Sequence, residues 1–274
     1  MPVSALLLAL ASAFVHALWN LLLARAPDVE ARTAVALLVA LLAFAPVAAA
    51  TWEWDASVWP YIAVTSALQL SYFLLLTAAY RAHEFSVVYP VARGSAPVLV
   101  LIAGLLFLGA DTSAGQAAAV VVVAVGILLV RGFTHRAASG AVLLGLAIAA
   151  CIAAYTLVDK EGIRYAGPIP YNEVAMIVPT VAYAAAVASR KGVAALRAEL
   201  SATTVIAGIA TFGAYALVLA ALERGPAAGV AAVRETSIVI AAGLAALFLS
   251  ERVGPVRFVG AVVVAGGVAL LSLS

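Results

Sequence analysis

Ser86-Val87-Val88-Tyr89-Pro90-Val91-Ala92-Arg93-Gly94-Ser95-Ala96-Pro97-Val98-Leu99-Val100-Leu101-Ile102-Ala103-Gly104-Leu105-Leu106-Phe107-Leu108-Gly109-Ala110-Asp111 is apolar over a membrane-spanning length and carries one arginine in its interior. A transmembrane arginine costs roughly 2.5–3.5 kcal/mol on insertion scales, so it should face protein or water. The stretch recurs. An ungapped offset of 141 residues brings Arg93 onto Arg234, Val98 onto Val239, and Leu106-Phe107-Leu108 onto Leu247-Phe248-Leu249. The match runs on through Val121-Val122-Val123-Ala124, Gly126 and Leu129 to Val262-Val263-Val264-Ala265, Gly267 and Leu270. Apolar identities are common between apolar runs, but arginine and phenylalanine matches at one fixed offset point to an internal duplication.

Composition sets the environment. The chain is 66% hydrophobic and 10% charged, against about 45–50% and about 25% in soluble domains. It therefore reads as an all-α integral membrane protein. A net charge of +2 and the lack of a basic cluster interleaved with aromatics argue against nucleic acid as a partner. One cysteine, Cys151, within an apolar run supports neither a disulfide framework nor a thiolate metal site. The apolar N-terminus lacks a basic leader and runs on past His16, which favours a retained first span over a cleaved signal.

A helical span needs about 20 mostly apolar residues. Ten stretches meet or approach this: 3–24, 33–50, 59–80, 86–109, 114–131, 140–158, 172–189, 202–222, 227–249 and 254–273. Turn-forming residues punctuate them, as at Ala26-Pro27-Asp28, Gly167-Pro168-Ile169-Pro170 and Arg224-Gly225-Pro226. The longest break, around 190–200, is too short for a further domain. With no phosphate-binding loop, no zincin or nucleophile-elbow motif and no cofactor signature, the chain reads as neither an ATPase nor a hydrolase. A five-span unit, 1–133, followed by a second, 138–274, enters the membrane from opposite sides, giving two inverted five-helix repeats. That is the architecture of secondary transporters, with the site between the halves.

The polar residues of the spans then become candidates for binding a small-molecule substrate. Arg93 and Arg234 each lie seven residues inside a span, roughly 10 Å from its end at 1.5 Å per residue. Each could offer a planar fork to a carboxylate or phosphate. Alternatively they form structural pairs, Arg234 with Glu235 or Glu173 and Arg93 with Glu84; Glu235, adjacent to Arg234, points about 100° away from it around a helix. Ser12, His16, Trp19 and Asn20 draw one stripe along the first span. Histidine titrates near physiological pH, so His16 is a candidate carrier of a coupling proton, or else a neutral hydrogen-bonding residue. Gln69 and Tyr72 on the third span and Thr211 and Tyr215 on the eighth are ligand groups or interhelical glue. Tyr89 shares the face of Arg93. Asp159, Lys160 and Glu161 end the sixth span and are expected in solvent, with Asp159 one turn from Tyr155.

The runs Leu106-Phe107-Leu108-Gly109-Ala110-Asp111 through Gly126 and Leu247-Phe248-Leu249-Ser250-Glu251-Arg252 through Gly267 close the two halves alike. With ten spans in a five-plus-five repeat, the whole chain resembles an EamA-type member of the drug/metabolite transporter superfamily. The first copy departs from the pattern, with Ala110-Asp111 where the second has Glu251-Arg252. The resemblance implies a central cavity lined by spans 1, 3, 4, 6, 8 and 9, working by alternating access and usually as an exporter of metabolites or amino acids. The expected setting is a cell inner membrane, and proton or exchange coupling is a candidate driving force. Because the deep charges are arginines, the expected substrate is a small polar or amphipathic metabolite, anionic rather than cationic. A cationic exporter using Glu235 or Glu173, and a channel or lipid flippase, are the alternatives. The family is generally drawn with both termini in the cytoplasm. Basic residues instead crowd the loops after spans 1, 3, 5, 7 and 9, which by the positive-inside rule places both termini outside the cytoplasm.

Overall fold

The structure is a computed structural model describing residues 1–24, 26–82, 85–109, 111–131, 139–240, 243 and 254–273. Its helices are α1 (Val3–Ala24), α2 (Val29–Ala50), α3 (Trp59–Ala82), α4 (Phe85–Phe107), α5 (Ala114–Arg131), α6 (Ser139–Gly162), α7 (Pro168–Lys191), the short α8 (Val193–Ala198), α9 (Ala202–Arg224), α10 (Ala227–Arg234) and α11 (Pro255–Leu273). Five described segments are long and apolar enough to cross a membrane: 29–50, 56–76, 140–162, 168–191 and 202–224. Val3–Trp19, Val91–Phe107, Ala114–Leu129 and Phe258–Leu271 are shorter apolar helical stretches. The bundle is apolar outside, with Leu42, Leu106, Phe107 and Leu143 more than two-thirds exposed, while arginines and carboxylates lie within. Water would reverse that preference; hydrocarbon permits it.

Helix ends follow local chemistry. Asp28 caps α2 by accepting from the Ala31 amide, and Ser201 caps α9 by accepting from Thr204. Pro168 opens α7 at a position needing no amide donor, and Gly192, at φ 81°, closes it. The break expected near 190–200 contains α8. The span expected as one helix over 227–249 is interrupted: α10 ends at Arg234, residues 235–236 form a turn, and helical backbone resumes over 237–240. The Thr236 amide and hydroxyl both turn back to the Val233 carbonyl, at 3.0 and 2.7 Å, taking it out of the regular helical ladder.

The most extensive helix contacts are α5 with α11, α1 with α9, α4 with α6, α3 with α6, α2 with α9 and α2 with α7. The α5–α11 seam is closed by reciprocal glycines. A Cβ on Gly126 would stand 2.7 Å from the Val264 amide nitrogen, and one on Gly267 would stand 2.6 Å from Val123 Cγ2. The Met1 nitrogen donates to the Leu271 carbonyl at 3.0 Å, so α1 begins on the face where α11 ends.

The two ends of the α2–α7 contact are fastened differently. At one, Lys191 pairs with Asp28 (2.7 Å) and Glu30 (3.0 Å), and Arg32 with Glu199 (2.7 Å). Lys191 also holds the Asp28 carboxyl below the usual carboxylate range, chiefly by hydrogen bonding. At the other, Trp54 and Ala166 form an antiparallel bridge, Asp55 donates its amide to the Tyr165 carbonyl, and Gly167 donates to Glu53. Stacked rings flank it, Trp52 on Trp54 and Tyr61 on Tyr165, a composition suited to a membrane interface.

Candidate functional site

The polar interior begins at α1. Ser12 is buried and donates to the Ala214 carbonyl of α9 at 2.7 Å, fixing the helix pair rather than facing open space. One turn on, His16 Nε2 lies 3.4 Å from Arg93 Nη2 of α4, and its ring meets Trp19 edge-on at 5.0 Å. Arg93 Nη1 donates to Glu235 Oε1 at 3.0 Å, both side chains buried. This joins the middle of α4 to the turn that interrupts the ninth span. Glu84, considered from sequence as the partner of Arg93, lies outside the described residues, as do the side chains of Asn20 and Tyr89.

Arg234 is placed differently. Its guanidinium sits over the Tyr215 ring of α9, 5.3 Å from the centroid, with Tyr155 and Arg93 in electrostatic reach. Among the described residues it forms no ion pair, and its buried Nε has no hydrogen-bond partner. Two further buried polar atoms nearby in sequence or fold are also unpartnered: Glu235 Oε2 and Trp19 Nε1. Orphaned buried groups of this kind are rare and call for an explanation such as a bound polar molecule. Tyr155 of α6 meets Tyr215 at 6.2 Å and Tyr72 of α3 at 6.4 Å, closing an aromatic wall; Gln69 is buried one turn before Tyr72. Thr211 donates its hydroxyl to the Ala207 carbonyl of its own helix.

Two expectations are corrected. Asp159, expected in solvent, is fully buried, accepting from Thr65 (2.5 Å), Tyr171 (2.8 Å) and Tyr215. It is inside because α6 continues to Gly162, which sets Asp159 a turn inward and against α3, α7 and α9. Lys160 is half-buried and donates to the Leu222 and Gly225 carbonyls, satisfying the exposed C-terminus of α9. The sequence signal was available: Thr65, Tyr171 and Tyr215 are the hydroxyls of three different spans, and a carboxylate at a span end needs such donors. Glu173 is also inside, its Oε2 buried without a partner.

A concavity of about 740 Å³ runs between α2, α9 and the start of α7, lined by Phe44, Glu53, Pro168, Ile209 and Leu217. It holds none of the residues just described. Among the described residues no cluster of His, Cys, Asp and Glu is arranged to hold a metal ion.

Residues 139–273 match the model of the EamA-like transporter family. A solved structure described only as a crystal structure of protein superimposes with a TM-score of 0.77, covering 98% of this chain and 98% of its own at 16% identity; it is evidence of fold alone. No curated protein matches.

Proposed function

We infer the transport reaction from one premise: through residues 139–273 this chain is a member of the EamA-like transporter family, and so a membrane transporter. We propose that it is a secondary active exporter of the inner membrane, with ten spans in two inverted repeats, 1–133 and 138–274, rocking about a central site. Two observations support the repeat. Exchanging helices between halves maps the α1–α9 contact onto α6–α3, α2–α9 onto α7–α3, and α4–α6 onto α10–α1. Gly126 and Gly267, one offset apart, make the same close approach to Val264 and Val123, also one offset apart. The interrupted ninth span matches the broken helices at transporter sites.

The substrate is a small anionic or amphipathic metabolite, and the observation that carries this reading is the buried Nε of Arg234, which has no hydrogen-bond partner among the described residues. Arg234 forms no ion pair among them either, Glu235 acting on it only at longer range, so its planar fork suits a carboxylate or phosphate. Arg93, by contrast, spends its charge on Glu235. Tyr72, Tyr155 and Tyr215 would pack the apolar part of the substrate, with Trp19 and Gln69 as further contacts.

A thermal-shift screen of metabolites on the purified protein tests this, since ligands of the native state raise apparent stability by mass action. The expected hits are anions, lost in Arg234→Lys because lysine lacks the bidentate fork. A second reading, a cationic substrate, is favoured by Glu173 Oε2. Cationic hits that survive Arg234→Lys and vanish in Glu173→Gln would replace the first reading with the second. Counterflow in proteoliposomes separates either from a channel, which shows no trans-stimulation.

A further inference from the structure

Asp159 has no exposed surface, yet no cation among the described residues lies within ion-pair distance of it. Its partners are three hydroxyls from three helices: Thr65 on α3, Tyr171 on α7 and Tyr215 on α9. Thr65 and Tyr171 also bond one another at 3.2 Å, either able to donate. A carboxylate held by guanidinium or ammonium groups is fixed in one charge state, because those groups only donate. Hydroxyls both donate and accept. Ionised, Asp159 accepts all three contacts; protonated, it gives one hydrogen to a rotated hydroxyl and keeps the other two. The cage therefore stays bonded in either state.

The charged groups around this cage are few. From α10, Arg234 acts on Asp159 across the Tyr215 ring that carries it. From α4, Arg93 is engaged by Glu235, and from α1, His16 lies against Arg93. On α6 itself Tyr155 packs on Tyr215, and Lys160 is turned away to the carbonyls ending α9. Tyr61 of α3 is stacked on Tyr165.

We propose that Asp159 is a proton-binding site and that Tyr215 connects its charge state to Arg234. One proton passes from water to a carboxylate oxygen; no other bond is made or broken, and the interior gains one positive charge. With Asp159 ionised, its charge offsets part of the field of Arg234. With Asp159 neutral, that field acts in full on an anion, so proton and anion each favour the other's binding by the reciprocity of linkage. Only this last consequence rests on Arg234 as the substrate anchor.

Infrared difference spectra of the purified protein, recorded while pH is varied, test the site without any substrate, so the test can fail while the anion reading stands. The expected result is a carboxylic-acid carbonyl band that grows on acidification, disappears in Asp159→Asn and persists in Glu173→Gln and Glu235→Gln. Arg234→Gln should move its midpoint to higher pH, since removing a nearby positive charge disfavours the carboxylate. Absence of the band in the unaltered protein, or its persistence in Asp159→Asn, overturns the proton site. A midpoint unmoved in Arg234→Gln overturns the link. If Asp159→Asn does not fold, Tyr171→Phe removes one hydrogen bond to the carbonyl and should shift the band position; an unshifted band overturns the assignment.

Discussion

Arg93→Ala removes the ion-pair partner of the buried Glu235 carboxylate, and breaking a buried pair from one side typically costs 3–5 kcal/mol. Denaturation of the detergent-solubilised variant should show about that loss, and Glu235→Ala added to it should recover part, because the stranded charge goes too. Arg234→Lys should behave in the opposite way. It keeps a charge over the Tyr215 ring and breaks no ion pair among the described residues, so the melting temperature should stay near that of the parent while ligand-induced stabilisation falls. The two arginines were legible as a matched pair in the sequence, because their spacing is a property of the chain. Their unequal roles were not. Which arginine meets Glu235 depends on the turn at 235–236, and Arg93 and Glu235 are brought together from opposite halves by packing that no local pattern encodes.

At the scale of elements, the α5–α11 seam gives a sharp expectation. Gly126→Ala sets a methyl against the Val264 backbone, and Gly267→Ala sets one against Val123, so each should cost about 1–3 kcal/mol in thermal unfolding. The two should be less than additive, since one separation of the helices relieves both. The clasp at the start of α2 responds to acid. The depressed Asp28 carboxyl contributes stability that is fully present above its unfolded titration range and lost as pH falls through its lower folded value. Hydrogen-exchange protection at residues 28–33, taken relative to the intrinsic rate at each pH, should therefore fall at acid pH in the parent, and be already low and less pH-sensitive in Lys191→Ala. Apolar length located each of these helices to within a few residues. The interruption after Arg234 escaped it, because Thr236 is unremarkable in a hydropathy window and its effect is a hydrogen bond.

For the whole molecule, charge supplies an expectation of side. Ten of the fifteen basic residues, among them Arg32, Arg190, Lys191 and Arg197, lie in or beside the breaks that follow the expected spans 1, 3, 5, 7 and 9, while the opposite set of breaks has Lys160, Arg164 and Arg224. A reporter active only outside the cytoplasm should therefore work when fused after Ser274, and a cytoplasmic reporter should be silent there; the reverse pattern would place the basic loops outside.

The unlike fastenings of α2 to α7 make the two membrane faces answer to different solvents. Dissolved ions reach Lys191, Asp28 and Glu30, and at physiological ionic strength screening already acts over about 8 Å. The bridge of Trp54 to Ala166, made of backbone amides under stacked indoles, offers salt almost nothing to screen. Under the proposed inverted repeat, symmetry alone would let the chain open equally to either side. Rising salt should loosen the charged rim and leave the bridged one tied, so that under the proposed alternating access the ionic composition of a single compartment would bias which way the molecule leans.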